Sequence, residues 1–322
     1  MGKNRNMGMK DFKVIVVSER EPGLPYSKGL RASELMVTGL SPFRAYQVAE
    51  EVEARLHSEG TQSVTRQQLN ELTVRVLSDL AGERYATNFR RWQSIENLDV
   101  PIVVLIGGAT GVGKSTIATQ LAVRLGIVRV SGSDAIREVM RAMLTNQLMP
   151  TLYTSSFEAG EVLLEPPAGT ADPVTVGFRE QTAAVSVGVN ALVARAAVEG
   201  TSTVIEGAHV VPGFYDLAAH EQRILAVPVV ITVDDEDVHR SHFMARTSTR
   251  GPAERYLASF ANIRRVNKYI KSQALSHGVP VVPNYSLDQA LTALIDLVVE
   301  RATERLSGST APVPTVLEGA NG

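Results

Sequence analysis

The chain has 322 residues, a formal net charge of −2, 44% hydrophobic residues and no cysteine. That length favours two domains over one. The near-neutral charge leaves no basic footprint for a nucleic-acid partner, and the lack of cysteine excludes disulfides, thiolate metal sites and cysteine nucleophiles.

The basic Met1–Asn6 leads into no long apolar run, so no signal peptide is expected. Val14-Ile15-Val16-Val17 reads as a first strand and Glu21–Pro25 as a turn. A helix is expected from Ser27. A second runs from Ser41-Pro42 to Leu56, with Ser41 as N-cap, Pro42 at the first helical position and Val48, Val52 and Leu56 on one face. Thr65 to Leu80 is a third, striped by Leu69, Leu72, Val76 and Leu80 and ended by Gly82. Tyr85 to Trp92 is a fourth. This first domain, residues 1–98, is expected to be small and mostly helical.

From residue 99 the pattern changes. Ile102 to Ile106 is continuously apolar, as a parallel strand buried on both faces requires. A helix over Lys114–Leu125, a strand at Val128–Val130, a helix from Ala135, a loop over Glu165–Pro173 and a long helix over Thr175–Glu199 follow. Further strands are expected at Thr203–Glu206, Val227–Val233 and Val279–Val282, and a last helix at Leu287–Leu306. Alternating apolar strands and helices predict an α/β domain over 99–306, a parallel sheet with helices on both faces. Residues 307–322 are rich in Gly, Ser, Thr, Ala and Pro and are expected to be disordered. The longest apolar stretches are too short to cross a bilayer, so a cytoplasmic protein without membrane or nucleic-acid partners is expected. Its oligomeric state is not legible.

Gly108-Ala109-Thr110-Gly111-Val112-Gly113-Lys114-Ser115 is a complete phosphate-binding loop between a buried strand and a helix. Its curled backbone aims successive N–H groups at phosphate oxygens, and the helix N-terminus adds positive potential. Lys114 is placed to reach the β- and γ-phosphates and Ser115 to ligate Mg²⁺, with Thr116 beside it. No guanine-reading signature is present, so ATP is the expected nucleotide.

Asp134 follows the next strand and Arg137 stands three residues on. At a strand end beside the phosphate loop, Asp134 is a candidate acceptor of a substrate hydroxyl proton and Arg137 a candidate holder of a substrate anion. A plain N-cap at Asp134 is the alternative. Glu206 ends another strand, as an orienter of Mg²⁺ or as a solvated strand end. His209 is either a substrate contact or a hydrogen-bonded structural residue. Arg246 and Arg250, four apart, suit one helical face closing over a triphosphate, against a merely solvated basic helix. Arg264 and Arg265 carry a weaker version of the same pattern.

With these motifs in place, the chain resembles archaeal-type 2-phosphoglycerate kinase from about Phe12 to Leu306. The resemblance is carried by Ile106–Ala109 into the loop, Asp134–Arg141, Pro150–Phe157 and Ile205–Gly213. It implies ATP-dependent phosphorylation of the 3-hydroxyl of 2-phosphoglycerate, giving 2,3-bisphosphoglycerate. It implies a small substrate bearing one carboxylate and one phosphate. Arg137, Arg141, Arg246 and Arg250 would meet those anionic groups, and Thr151, Thr154, Ser155 and Ser156 would add neutral donors. The first domain resembles an ATP-cone through Val16-Val17, Pro25–Arg31 and Tyr85–Trp92. The lysine usual in that pattern two residues beyond Lys28 is Leu30 here. From the residues alone, a kinase of another hydroxy acid or sugar acid, or a nucleotide-sensing ATPase, remains open.

Overall fold

Leu24-Pro25, expected as the end of a turn, instead forms a short strand. The computed structural model describes residues 15–18, 24–95, 98–246 and 250–308, leaving aside the side chains of 94, 245, 246 and 250–253. Two units emerge, Met1–Gln93 and Ser94–Gly322.

In the first unit, β1 (Val16–Ser18) pairs antiparallel with β2 (Leu24–Pro25) and parallel with β3 (Ser63–Thr65). The expected start of β1 at Val14 and the turn residues Glu21–Gly23 lie outside the described residues. Four helices accompany this sheet among the described residues: α1 (Lys28–Leu35), α2 (Pro42–Ser58), α3 (Arg66–Leu80) and α4 (Glu83–Ile95). Their starts follow from side-chain capping. The Ser41 hydroxyl accepts from the Arg44 N–H ahead of Pro42, and Thr65 and Gln68 form a reciprocal capping box. Leu35, Val52, Leu56, Val76, Leu77 and Phe89 make the unit's own core.

The second unit is built on β4 (Ile102–Gly107), all of whose residues are buried. After it come α5 (Lys114–Arg124), β5 (Arg129–Gly132) and α6 (Ser133–Met143). Single 3-10 turns at Pro150–Tyr153 and Ala159–Glu161 precede α7 (Pro173–Glu199), which starts where the Asp172 carboxylate accepts from the Thr175 N–H and ends at Gly200. The remainder is β6 (Thr203–Gly207), β7 (Leu225–Thr232), α8 (Glu236–Arg246), α9 (Arg250–Ala258), α10 (Phe260–Ser276), β8 (Val281–Pro283) and α11 (Leu287–Ser307). The expected disordered tail lies outside the described residues, apart from its first positions at the end of α11.

The five strands run parallel in the order β5-β6-β4-β7-β8, with the phosphate-loop strand at the centre. The fold class expected from the alternating pattern is thus the one observed. Register decides what gathers at one edge. Gly107 lies opposite both Gly207 and Val230, and Glu206 lies opposite both Ile106 and Gly132. The loop after β4, the start of α6 and the ends of β6 and β7 therefore share the carboxyl edge, where α/β sheets bind ligands. By length and composition α7 passes for a membrane span. It is a core helix, however: Val189 and Val193 pack on Val103, Leu105 and Ile205.

Candidate active site

Lys114 opens α5 and is only 8% exposed; its ammonium donates to the Ala109 carbonyl at 2.8 Å. The next residue, Ser115, donates its hydroxyl to Glu206 Oε1 at 3.0 Å. The phosphate-loop serine and the strand-end acid are thus brought together, as the β4–β6 pairing requires. Thr116 follows within α5. The loop bends through glycines at positive φ, 142° at Gly108, 88° at Gly111 and 91° at Gly113. A Cβ at Gly111 would lie 2.2 Å from the Phe243 ring, so no larger residue fits there without displacing it.

Asp134 is not an N-cap. The strand before it runs to Gly132 and the helix begins at Ser133, with Gly132 at the cap and Asp134 inside the first turn. There a carboxylate complements the helix dipole and stays exposed. Its Oδ1 is 3.9 Å from Arg137 Nε and 4.0 Å from His209 Nδ1.

Arg137 faces inward on the segment after α6. Its Nη1 donates to the carbonyls of Thr154 and Leu152, and its Nη2 to Glu138 at 3.0 Å. Only Nε, beside Asp134, is buried with no hydrogen-bond partner. Most of this guanidinium therefore shapes the 152–154 backbone. Arg141 pairs with Glu138 at 2.6 Å and lies over the Tyr153 ring.

His209 is 1% exposed and held through both ring nitrogens. Gln181 donates its amide to the Thr151 and Thr154 carbonyls, the latter at 3.1 Å. That orientation leaves its oxygen facing His209 Nε2 at 2.8 Å, so Nε2 carries the proton and Nδ1 accepts from the Ser133 hydroxyl at 3.0 Å. Burial pushes the imidazole pKa down to about 4. The Asp134 charge opposes that fall, and Arg137 and Lys114 add to it. One neighbourhood therefore contains the phosphate-loop lysine and the α6 pair. Gly207 makes room for it: at φ 149°, a Cβ there would lie 1.8 Å from Ser133 Oγ.

Of the remaining donors, the Thr151 hydroxyl goes to Glu180 and that of Thr154 to the Thr151 carbonyl. Ser155 Oγ accepts from Arg255, which also grips Glu158, and Ser156 is buried.

Arg246 ends α8 and Arg250 begins α9, so they do not share one described helix. Residues 247–249 and both side chains lie outside the described residues. Arg264 is no lid residue. It donates to the Val233 carbonyl at 2.6 Å and to that of Asp234, tying α10 to the end of β7. Arg265 contacts Asn262 and lies 3.9 Å from Asp172.

Sequence reasoning missed Gln181, His239, His242 and Asn284. The last three donate to phosphate-loop carbonyls from far along the chain, and no local motif announces such contacts. Gln181 lies in a helix whose only sequence signal is apolar.

No family model matches the chain. Among curated proteins it is similar to the 2-phosphoglycerate kinase of Methanothermobacter thermautotrophicus, 39% identical over 284 residues, 87% of this chain and 92% of that one. The 2-phosphoglycerate kinase of Thermococcus kodakarensis is 37% identical over 90% of this chain and 98% of its own length. That of Methanopyrus kandleri is 37% identical over 88% and 86%. Among solved structures, a gluconokinase from Sinorhizobium meliloti 1021 covers 65% of this chain and 98% of its own at 14% identity, with a TM-score of 0.40. A shikimate kinase from Bacteroides thetaiotaomicron covers 64% and 98% at 16% identity and TM-score 0.34.

Proposed function

The chain belongs to the 2-phosphoglycerate kinase family, and from that premise we propose that its second unit transfers the γ-phosphoryl group of ATP to the 3-hydroxyl of 2-phosphoglycerate. The products are ADP and 2,3-bisphosphoglycerate. What carries the reading is identity of up to 39% to kinases of that name over nearly the whole chain.

In this reading the acceptor oxygen bonds to the γ-phosphorus as the bond to the β,γ-bridging oxygen breaks. The hydroxyl proton passes to the exposed Asp134 carboxylate, free of the capping duty that would have turned it to the backbone. Lys114, now on the Ala109 carbonyl, exchanges that partner for phosphate oxygens and stabilises charge on the transferring group. Arg246 and Arg250 complete the charge neutralisation. Arg137 Nε and Arg141 face the acceptor's anionic groups. His209, neutral and fully engaged, shapes that pocket rather than exchanging protons.

The Ser115 hydroxyl and the Glu206 carboxylate are hard oxygen donors within 3.0 Å of each other. That pair fits Mg²⁺, which uses one or two carboxylates together with substrate phosphates. The ion would supply charge neutralisation to the β- and γ-oxygens.

The test is ATP turnover with and without 2-phosphoglycerate, in wild type and Asp134→Asn. The acceptor should raise wild-type turnover many-fold. The substitution should lower kcat by roughly 10²- to 10⁴-fold, the usual worth of a general base, with the KM for ATP little changed. ATP hydrolysis indifferent to 2-phosphoglycerate would mark a nucleotide-sensing ATPase instead.

A further inference from the structure

Thr110, Gly111 and Val112, consecutive in the phosphate loop, each present their carbonyl to a side chain from far along the sequence. His239 Nε2 donates to the Thr110 carbonyl at 2.9 Å, His242 Nδ1 to that of Gly111 at 3.0 Å, and Asn284 Nδ2 to that of Val112 at 2.9 Å. The two histidines lie one turn apart on α8 and thus share a face. Asn284 follows β8.

The donors are held in orientation. Arg264 Nη1 approaches His239 Nδ1 at 3.4 Å. An arginine N–H cannot accept, so Nδ1 is the acceptor and Nε2 keeps its proton for Thr110. Beside them on α8 is Phe243, 1% exposed, its ring stacked on that of His239 and filling the space beneath Gly111. The Asn284 amide occupies the corresponding space beneath Gly113.

A peptide is planar and trans, so a carbonyl turned one way turns the next residue's N–H the other. Fixing the carbonyls of 110, 111 and 112 outward fixes the N–H groups of Gly111, Val112 and Gly113 toward the loop's hollow. A glycine-rich loop without such anchors has a large conformational freedom to lose when phosphate binds.

We propose that His239, His242 and Asn284 are positioning residues, a collar that holds the phosphate loop in its binding shape before nucleotide arrives. They set affinity for the nucleotide and take no part in acceptor recognition. The proposal rests on the loop being the ATP site. Titration with MgADP needs no acceptor, so a wrong acceptor assignment leaves the result readable.

The experiment measures MgADP affinity by calorimetric titration, and separately the KM for ATP and for 2-phosphoglycerate. Asn284→Asp keeps the shape but sets a carboxylate oxygen against the Val112 carbonyl. It should weaken MgADP binding by about tenfold or more, the scale of an unsatisfied buried acceptor, while the acceptor KM stays within about twofold. His242→Leu should weaken MgADP binding by a few-fold. His242→Asn, whose amide nitrogen replaces Nδ1, should recover most of that loss. Wild-type MgADP affinity in a folded Asn284→Asp protein overturns the collar. So does an equal rise in both KM values, or a His242→Asn protein no better than His242→Leu. Should Asn284→Asp fail to fold, the His242 pair decides.

Discussion

Protonating His209 or His239 would place a positive charge on a buried ring. Both rings are buried and already donate from Nε2, His209 to Gln181 and His239 to the Thr110 carbonyl. Burial lowers both pKa values to about 4 from 6.5; near His239 the Thr110 hydrogen bond opposes the fall, while Arg264, His242 and Lys114 add to it. The unfolded chain therefore takes up these protons before the folded one does. The stabilisation is complete above about pH 6.5 and is lost as the pH falls toward about 4, by up to about 3 kcal/mol per histidine. Urea unfolding of the protein across that window should show the midpoint dropping with acidity, and His209→Asn should make the drop shallower. A midpoint indifferent to pH between those limits would place both rings in water. The sequence left His209 undecided between ligand and structural residue because its partners, Gln181 and Ser133, are distant along the chain. Ser115 and Glu206 were legible as a pair because motif and strand end both point to one sheet edge.

At the scale of elements, α7 reaches the 151–154 segment through Glu180 and Gln181. Gln181 links the Thr151 and Thr154 carbonyls to His209, and Arg137 holds Leu152 and Thr154 from α6. Gln181→Leu keeps the volume and helix propensity but takes one donor from each of those carbonyls, which keep Arg137 and Thr154, and leaves the imidazole N–H without its partner. The expected outcome is a KM for 2-phosphoglycerate raised by about tenfold or more, with the KM for ATP within about twofold. Equal changes in both, or none, would remove this segment from acceptor binding. The long strands and helices of the second unit were legible because continuous apolar runs and capping residues carry their own signal. β2 and β3 were not: Leu24-Pro25 and Ser63-Val64-Thr65 are too short for alternation, and Pro25 reads as a turn residue. The start of α6 was misplaced because Asp134 is a favoured cap. Strand pairing of Gly132 with Glu206 carries β5 further and hands the cap to a glycine. Arg264 looked like part of a basic face; only the fold shows it closing the carbonyl end of β7.

For the whole molecule, two units with separate cores imply separable folding. In the first unit, Lys28 pairs with Glu53 at 3.1 Å. The buried Arg31 binds Glu34, Asn70 and Thr73 and lies against the Phe89 ring. Both cations of Pro25–Arg31 are thus engaged inside the unit, which with Leu30 in the lysine position favours a structural role. A protein beginning at Ser94 should fold, phosphorylate 2-phosphoglycerate, and give an ATP saturation curve within about twofold of the full chain. A regulatory nucleotide site would instead show a coupling of about 5- to 150-fold. An insoluble truncation would mean one cooperative fold. Phosphorus NMR of the full-length protein with MgATP and 2-phosphoglycerate reads the reaction itself. Loss of the γ-phosphate signal should be matched by two phosphomonoester signals of 2,3-bisphosphoglycerate, with 3-phosphoglycerate, glycerate and gluconate converted at least about tenfold more slowly. Inorganic phosphate as the only new product, or gluconate converted as fast as 2-phosphoglycerate, would contradict that reaction.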